Sequence, residues 1–247
     1  MDGPGYIILS RLALQSRATE VLAHNVANAD TPGFRAMRPV FAEFVSRQTG
    51  TETPTGGRNV AFVQDRATWR EMEAGPLQST GNPLDVAISG EGFFAVETPR
   101  GERFTRAGRF TIGDGGRIVD MEGNPVLSDQ QQPIAVSPND TRITIQGDGA
   151  IRSENGTLGR LRVVNFANPQ SLRAEGDRNF DAGGEQPQPI ERPTVVQGSL
   201  EGSNVRPILE MTRLTAELRE FQYAAQFAER EGERLSTAVE RILRRRS

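Results

Sequence analysis

From Met211 onward the apolar and small positions step by three and four residues: Met211, Leu214, Leu218, Phe221, Ala225, Ala228, Gly232, Leu235, Val239 and Ile242. That spacing averages 3.5 residues and predicts a coiled-coil-like helix, with Glu, Arg and Gln filling the positions between. Gly202-Ser203-Asn204 supplies capping residues and Pro207 suits a first helical turn. Arg244, Arg245 and Arg246 complement the negative end of the helix dipole. At 1.5 Å per residue such a helix is roughly 60 Å long. Near the other end Ile8, Leu12, Gln15, Thr19, Leu22, Val26 and Ala29 repeat the four-three spacing. It predicts a second, shorter helix of about 25 residues. Gln15 and Thr19 interrupt its apolar row, which argues for a helix before it argues for a coiled coil.

Between the ends the pattern changes. Gly3, Gly5, Gly33 and Gly232 are the only glycines, of 26, outside the span Gly50 to Gly202. The middle is therefore rich in turns and the ends are uninterrupted. Leu84 to Ile88 alternates, Phe93 to Val96 is a short apolar run, and Leu161 to Phe166 is another strand-like segment. Phe110-Thr111-Ile112 and Ile118-Val119 flank Gly113-Asp114-Gly115-Gly116, a hairpin signal. Ile143 to Ile145 and Ala150-Ile151 flank Gly147-Asp148-Gly149 in the same way. The expected fold is α+β: long terminal helices pairing as a coiled-coil-like helical unit around a central irregular all-β domain. The segments read as 1–36, N-terminal helix and turn; 37–75, extended connection; 76–197, β domain; and 198–247, C-terminal helix pairing with the first. Residues 168 to 194 read as a further extended stretch stiffened by Pro187, Pro189 and Pro193.

Two helices alone cannot shield every side of so long a rod from water. Either they dock on the middle domain or other chains cover them. Composition narrows the partner. Net charge is −3, which gives no case for nucleic acid. No run approaches the ~18 apolar residues of a membrane span. The start, Met1-Asp2-Gly3-Pro4-Gly5, lacks the basic and apolar regions of a cleaved signal peptide. All 29 basic residues are arginine, a bias given little functional weight here.

Candidate chemistry is sparse. With no cysteine, thiol chemistry and cysteine metal sites are excluded. His24 is the one histidine, and on a helix it reads as structural rather than catalytic. Asp85, Glu91, Glu97 and Asp120 could pair as catalytic carboxylates, but any acidic β domain offers such sets. The two Gly-Asp-Gly segments lack the spaced oxygens of a calcium loop and read as tight turns. No catalytic residue, metal site or cofactor is expected. A secreted glycan-binding protein or enzyme remains the competing class; at 6% aromatic residues its sugar platform is poorly supplied.

The stretch Asn25-Val26-Ala27-Asn28-Ala29-Asp30-Thr31-Pro32-Gly33-Phe34-Arg35-Ala36 resembles the N-terminal signature of bacterial flagellar rod and hook proteins. Glu201-Gly202-Ser203-Asn204-Val205 with Pro207 resembles that family's entry to its last helix. Gly75-Pro76-Leu77, Asn82 to Ile88, Gly92-Phe93-Phe94 and Gly123 to Leu127 resemble its β domain, so the likeness spans most of the chain. In the last helix Leu218-Arg219-Glu220-Phe221 keeps the family's arginine and aromatic but has Leu218 where glutamine is usual.

The resemblance implies a non-enzymatic structural subunit of the basal-body rod, which spans the periplasm. It would be exported through the flagellar type III apparatus without a cleaved signal, and would polymerise through its terminal helices into the axial drive shaft. Its partners would be other rod proteins, copies of itself and the export apparatus, with no nucleic acid and no membrane insertion. A proximal-rod subunit is the nearer match, and a distal-rod or hook subunit is the alternative. The expected assembly residues are Leu12, Leu22, Asn25, Val26, Asn28, Thr31, Pro32, Gly33, Phe34, Arg35, Asn204, Met211, Leu214, Leu218, Phe221, Leu235, Val239 and Ile242. Thr31-Pro32-Gly33-Phe34 fits a type II turn, with Pro32 setting φ and Gly33 supplying a positive one. Asn25 and Asn28 read as end-of-helix hydrogen-bonding residues.

Overall fold

Both terminal helices form. In the computed structural model, which describes residues 3–48, 58–176 and 178–244, α1 runs Gly3–Ala27 and α2 runs Pro207–Arg244. The chain divides into two compact units. The first holds Met1–Val26, Met37–Trp69 and Arg206–Ser247; the second holds Ala27–Ala36 and Arg70–Val205. The segment Ala27–Ala36 thus groups with the β structure rather than with α1. No helix among the described residues is long and apolar enough to cross a membrane.

In the first unit, α1 buries Gln15, Ala18, Val21, Leu22 and Asn25. The expected row agrees at Gln15 and Leu22. At the next positions burial moves one residue back, to Ala18 and Asn25, while Leu12, Thr19 and Val26 are half-buried. Gln15 to Leu22 and Ala18 to Asn25 are each seven residues, so the repeat itself holds and only its second row sits one residue earlier than expected. The two helices are linked by a surface ion pair, Arg11 Nη2 to Glu220 Oε2 at 2.8 Å, and by a buried hydrogen bond from Asn25 Nδ2 to Glu210 Oε2 at 3.3 Å. The exposed pair contributes little on its own.

Within 37–75, expected as an extended connection, two described runs are extended but paired. Met37–Gln48 and Arg58–Arg70 form a two-stranded sheet. The run carries Val40, Phe41, Phe44, Val45, Val60, Phe62 and Val63, the residue types that favour strands. Pairing also satisfies backbone groups that a lone connection leaves to water.

Every strand pairing described in the second unit is antiparallel. A six-stranded sheet has the order Arg173–Glu175, Asn179–Asp181, Gly101–Thr105, Phe93–Thr98, Val163–Asn165, Gln188–Pro189. The stretch 168–194 thus supplies three strands of that sheet, where an extended connection was expected. The turn at Gly176, φ +70°, folds the chain back, and Phe180 enters the core. Both expected hairpins form: Thr111–Ile112 pairs with Ile118–Val119, and Thr144–Ile145 with Ala150–Ser153. Short pairs join Val86–Ile88 to Val195–Gln197 and Leu77–Ser79 to Ser199–Glu201. Along Phe93–Thr98 alternate residues enter two different cores. Phe94 and Val96 pack with Val86, Phe110 and Ile151, whereas Phe93 and Ala95 pack with Phe104, Phe166 and Phe180. Edge-to-face ring pairs hold these cores, at 4.9 Å for Phe104–Phe166 and 5.3 Å for Phe94–Phe110.

Candidate assembly joint

Within the second unit, Asn28 to Ala36 folds as consecutive turns. Thr31 N donates to Asn28 O, and Thr31 Oγ1 donates to Asn28 Oδ1 at 3.0 Å. Phe34 N closes the next turn on Thr31 O at 3.2 Å, and Gly33 holds φ at +72°. A Cβ on Gly33 would stand 2.5 Å from Ala107 N and 2.6 Å from Arg106 C, so the position needs glycine both for its φ and for space. Pro32 is half-buried. Phe34 is fully buried with Ala36, Val205 and the partly buried Ala29.

Asn204 ties three chain segments together. Its Oδ1 accepts from Ala36 N at 2.7 Å, and its Nδ2 donates to Glu71 O at 2.8 Å and Glu73 O at 3.1 Å. Glu71 N in turn donates to Ala36 O. Glu201 gathers the same region. Its backbone oxygen accepts from Gly33 N at 2.8 Å, and its Oε1 accepts from Gly75 N at 3.0 Å. Arg35 Nη1 stands 2.5 Å from Oε1, and Arg106 Nε stands 3.3 Å from Oε2. Glu201 and Arg35 are each 1% exposed and Arg106 4%, so one carboxylate serves two guanidiniums away from water. Burial pulls the Arg106 guanidinium down to about 10; Arg35 adds to that pull and Glu201 opposes it.

The first unit has its own polar knot. Asn25 does not cap α1; it treats Met37 as a strand partner, donating to Met37 O at 2.9 Å and accepting from Met37 N at 2.8 Å. Glu210, the one buried side chain among those described in α2, accepts from Asn25, from Arg38 Nη1 at 2.7 Å and from Arg213 Nη1 at 3.0 Å. Burial pushes the Glu210 carboxyl up, but the bonds from Arg38 and Asn25 and the charges of Arg38 and Arg213 outweigh it, and the net shift is downward. A depressed acid stabilises the fold above its unfolded pKa, near 4.3, and that stability is lost as pH falls through the lower folded value. Glu210→Gln is therefore expected to flatten the acid limb of a stability-versus-pH curve below about pH 5. Parallel acid limbs in the two chains would contradict this role for Glu210.

The two terminal helices pack together as expected, but among the described residues that pairing covers the expected seam only in part. Met211, Leu218 and Phe221 are exposed and Leu214 is half-buried. The side chains of Leu235, Val239 and Ile242 lie outside the described residues. The other half-buried positions of α2 are Glu217, Ala224, Ala225, Ala228 and Glu231, so the sheltered arc carries mostly small residues. Further exposed apolar side chains were absent from the expected row: Ile208, Leu209, Tyr223, Phe227 and Leu243. At 100° per residue, Tyr223 stands about 180° around the helix from Leu214, so α2 shows apolar surface on more than one side.

Sequence reasoning also missed Glu201, Arg106 and Glu210 as organising residues. Composition gives no hint of Arg106.

Comparison with known proteins bears on the same segments. Residues 1–35 match the family described as Flagella basal body rod protein. Residues 87–153 match the Flagellar hook protein FlgE/F/G D1 domain, and residues 196–241 match Flagellar basal body rod FlgEFG protein C-terminal. The chain is 33% identical to the flagellar basal-body rod protein FlgF of Caulobacter vibrioides over 98% of each sequence. It is 34% identical to FlgF of Mesorhizobium japonicum over 89% of each. Against FlgG of Caulobacter vibrioides identity is 30%, over 86% of this chain and 89% of the relative. The turn up to Arg35, Glu201, Asn204 and α2 as far as Arg241 lie inside the two terminal family matches, and the chain belongs to the flagellar basal-body rod FlgEFG family as an FlgF-like structural subunit of the rod.

Proposed function

We propose that this protein polymerises through α1 and α2 into the axial drive shaft of the flagellum, with neighbouring subunits covering the apolar faces of α2. The observation that carries this is α2 itself. Of its 38 residues, Glu210 alone is buried among the described side chains, while Ile208, Met211, Tyr223, Phe227 and Leu243 stay more than half exposed. A helix with apolar residues on several sides and no core of its own marks an interface. Burying one Leu-sized side chain contributes about 1.5–3 kcal/mol, so a handful per subunit offsets much of the cost of ordering long termini.

The neighbours are copies of this chain and other rod proteins, and the subunit reaches them through the flagellar type III export apparatus. The residues bearing the contacts are Leu12 and Val26 of α1 with Met211, Leu214, Leu218 and Phe221 of α2, while Leu22 is already buried within the chain. Asn25, Asn28, Thr31 to Arg35 and Asn204 hold the geometry from which the helices leave. Removing residues 208–247 is expected to abolish rod assembly and motility. Basal bodies with a complete rod in such a strain would overturn the reading.

A further inference from the structure

Beyond its sheltered arc, α2 presents two separate stripes. Along the first, the exposed Met211 and Leu218 continue in line into the exposed Glu229, Glu233 and Glu240. Along the second, the exposed Leu209, Tyr223 and Phe227 continue into the exposed Arg230, Arg234 and Arg241. At 100° per residue, these stripes and the arc of Glu210, Glu217, Ala224 and Ala228 point in three directions about 120° apart. Each stripe is apolar towards the start of the helix and charged towards its end. One charged end is acidic and the other basic.

A helix face that meets only water gains by setting opposite charges four residues apart. Here Glu229 and Glu233 are alike at that spacing, and so are Arg230 and Arg234. Arg234 reaches Glu231 at 2.5 Å, whereas Glu229, Glu233, Glu240, Arg230 and Arg241 make no ion pair among the described residues. The segregated charges therefore repel along each stripe of the lone helix, and only a surface of opposite sign matches them.

We propose that α2 packs side by side and parallel with the α2 of a second copy, the acidic stripe of one against the basic stripe of the next. This rests on the reading of α2 as the polymerising helix. With the two helices level, Glu229, Glu233 and Glu240 each stand one residue, about 1.5 Å, from the heights of Arg230, Arg234 and Arg241. Met211 and Leu218 fall within the span from Leu209 to Phe227, so apolar half meets apolar half. An antiparallel pair would lay each charged half on the neighbour's apolar half and take charges from water unpaired. A pair of like stripes would oppose like charges. The contact is therefore heterologous: each copy uses one stripe for the copy before it and the other for the copy after it, and the series does not close at two.

The test replaces the chain in its own strain with two charge-reversed forms of the full protein. In one, Glu229→Arg, Glu233→Arg and Glu240→Arg make both stripes basic. In the other, Arg230→Glu, Arg234→Glu and Arg241→Glu make both acidic. Each alone is expected to lower the number of complete rods about tenfold or more, and the two expressed together to restore them, because the basic stripe of one form then meets the acidic stripe of the other. Normal rods from one form alone would overturn the pairing, as would no recovery in a mixture of forms whose helix content by circular dichroism is native. A second measurement stands if the reversed forms do not fold: Glu233→Cys with Arg234→Cys in one chain, oxidised within isolated basal bodies. A ladder of disulfide-linked species beyond the dimer is expected. Monomers alone, or dimers and nothing larger, would overturn the arrangement. Should it fail while removal of residues 208–247 still abolishes the rod, polymerisation through α2 stands and only the pairing of its stripes falls.

Discussion

Glu201→Gln is expected to destabilise the second unit by about 3–5 kcal/mol, the usual result of removing one member of a buried charge cluster and leaving the other charges uncompensated. Glutamine keeps the shape and an acceptor oxygen, so the backbone bond from Gly75 to the side chain can survive. What it removes is the buried negative charge that Arg35 and Arg106 share. Native-state hydrogen exchange at core amides such as Phe94 and Val164 reads the change directly, without assuming that the two units unfold together. A loss below about 1 kcal/mol would mean the carboxylate acts only as a hydrogen-bond acceptor, as a median surface pair does.

Gly33→Val carries the second large effect. The added Cβ meets backbone atoms of Arg106 and Ala107 rather than the end of a flexible side chain, and valine at φ +72° is strained wherever it sits. The segment from Asn28 to Ala36 must lift, and with it goes the burial of Phe34, about 1.5–3 kcal/mol by itself. The loss at the joint is expected to exceed about 3 kcal/mol while Phe94 and Val164 keep their protection. The same chain should fail to complete rods. Equal protection of the Phe34 and Ala36 amides in the native and variant proteins would show that the turn tolerates a side chain.

The two long helices, the two Gly-rich hairpins and the turn at Gly33 were legible because each rests on local rules: a 3–4 period, paired strands around glycine, and a proline followed by a positive φ. The paired strands Met37–Gln48 and Arg58–Arg70 and the sheet strands within 168–194 were not: the first two are separated by more residues than a hairpin signal spans, and the second stretch holds prolines that read as connection, with Asn179–Asp181 and Gln188–Pro189 pairing to the more distant Gly101–Thr105 and Val163–Asn165. Glu201 shows the limit of pattern reasoning. Alternation with the buried Leu200 would send it to solvent, yet both faces of its strand are covered, and only the distant arginines explain why a carboxylate sits there. Asn25 was singled out, but its partners Met37 and Glu210 were invisible without the fold. In α2 the strict row from Met211 to Ile242 found one apolar side and overlooked Leu209, Tyr223 and Phe227, which a heptad template treats as background.

Because the chain has no native cysteine, an introduced thiol reports on one place alone. Leu218→Cys and Phe227→Cys place thiols on two exposed sides of α2. Each variant can be treated with a maleimide as the purified monomer and again within isolated basal bodies. Assembly through α2 predicts rapid labelling of the monomer and protection in the rod. Labelling at the same rate in both would contradict it.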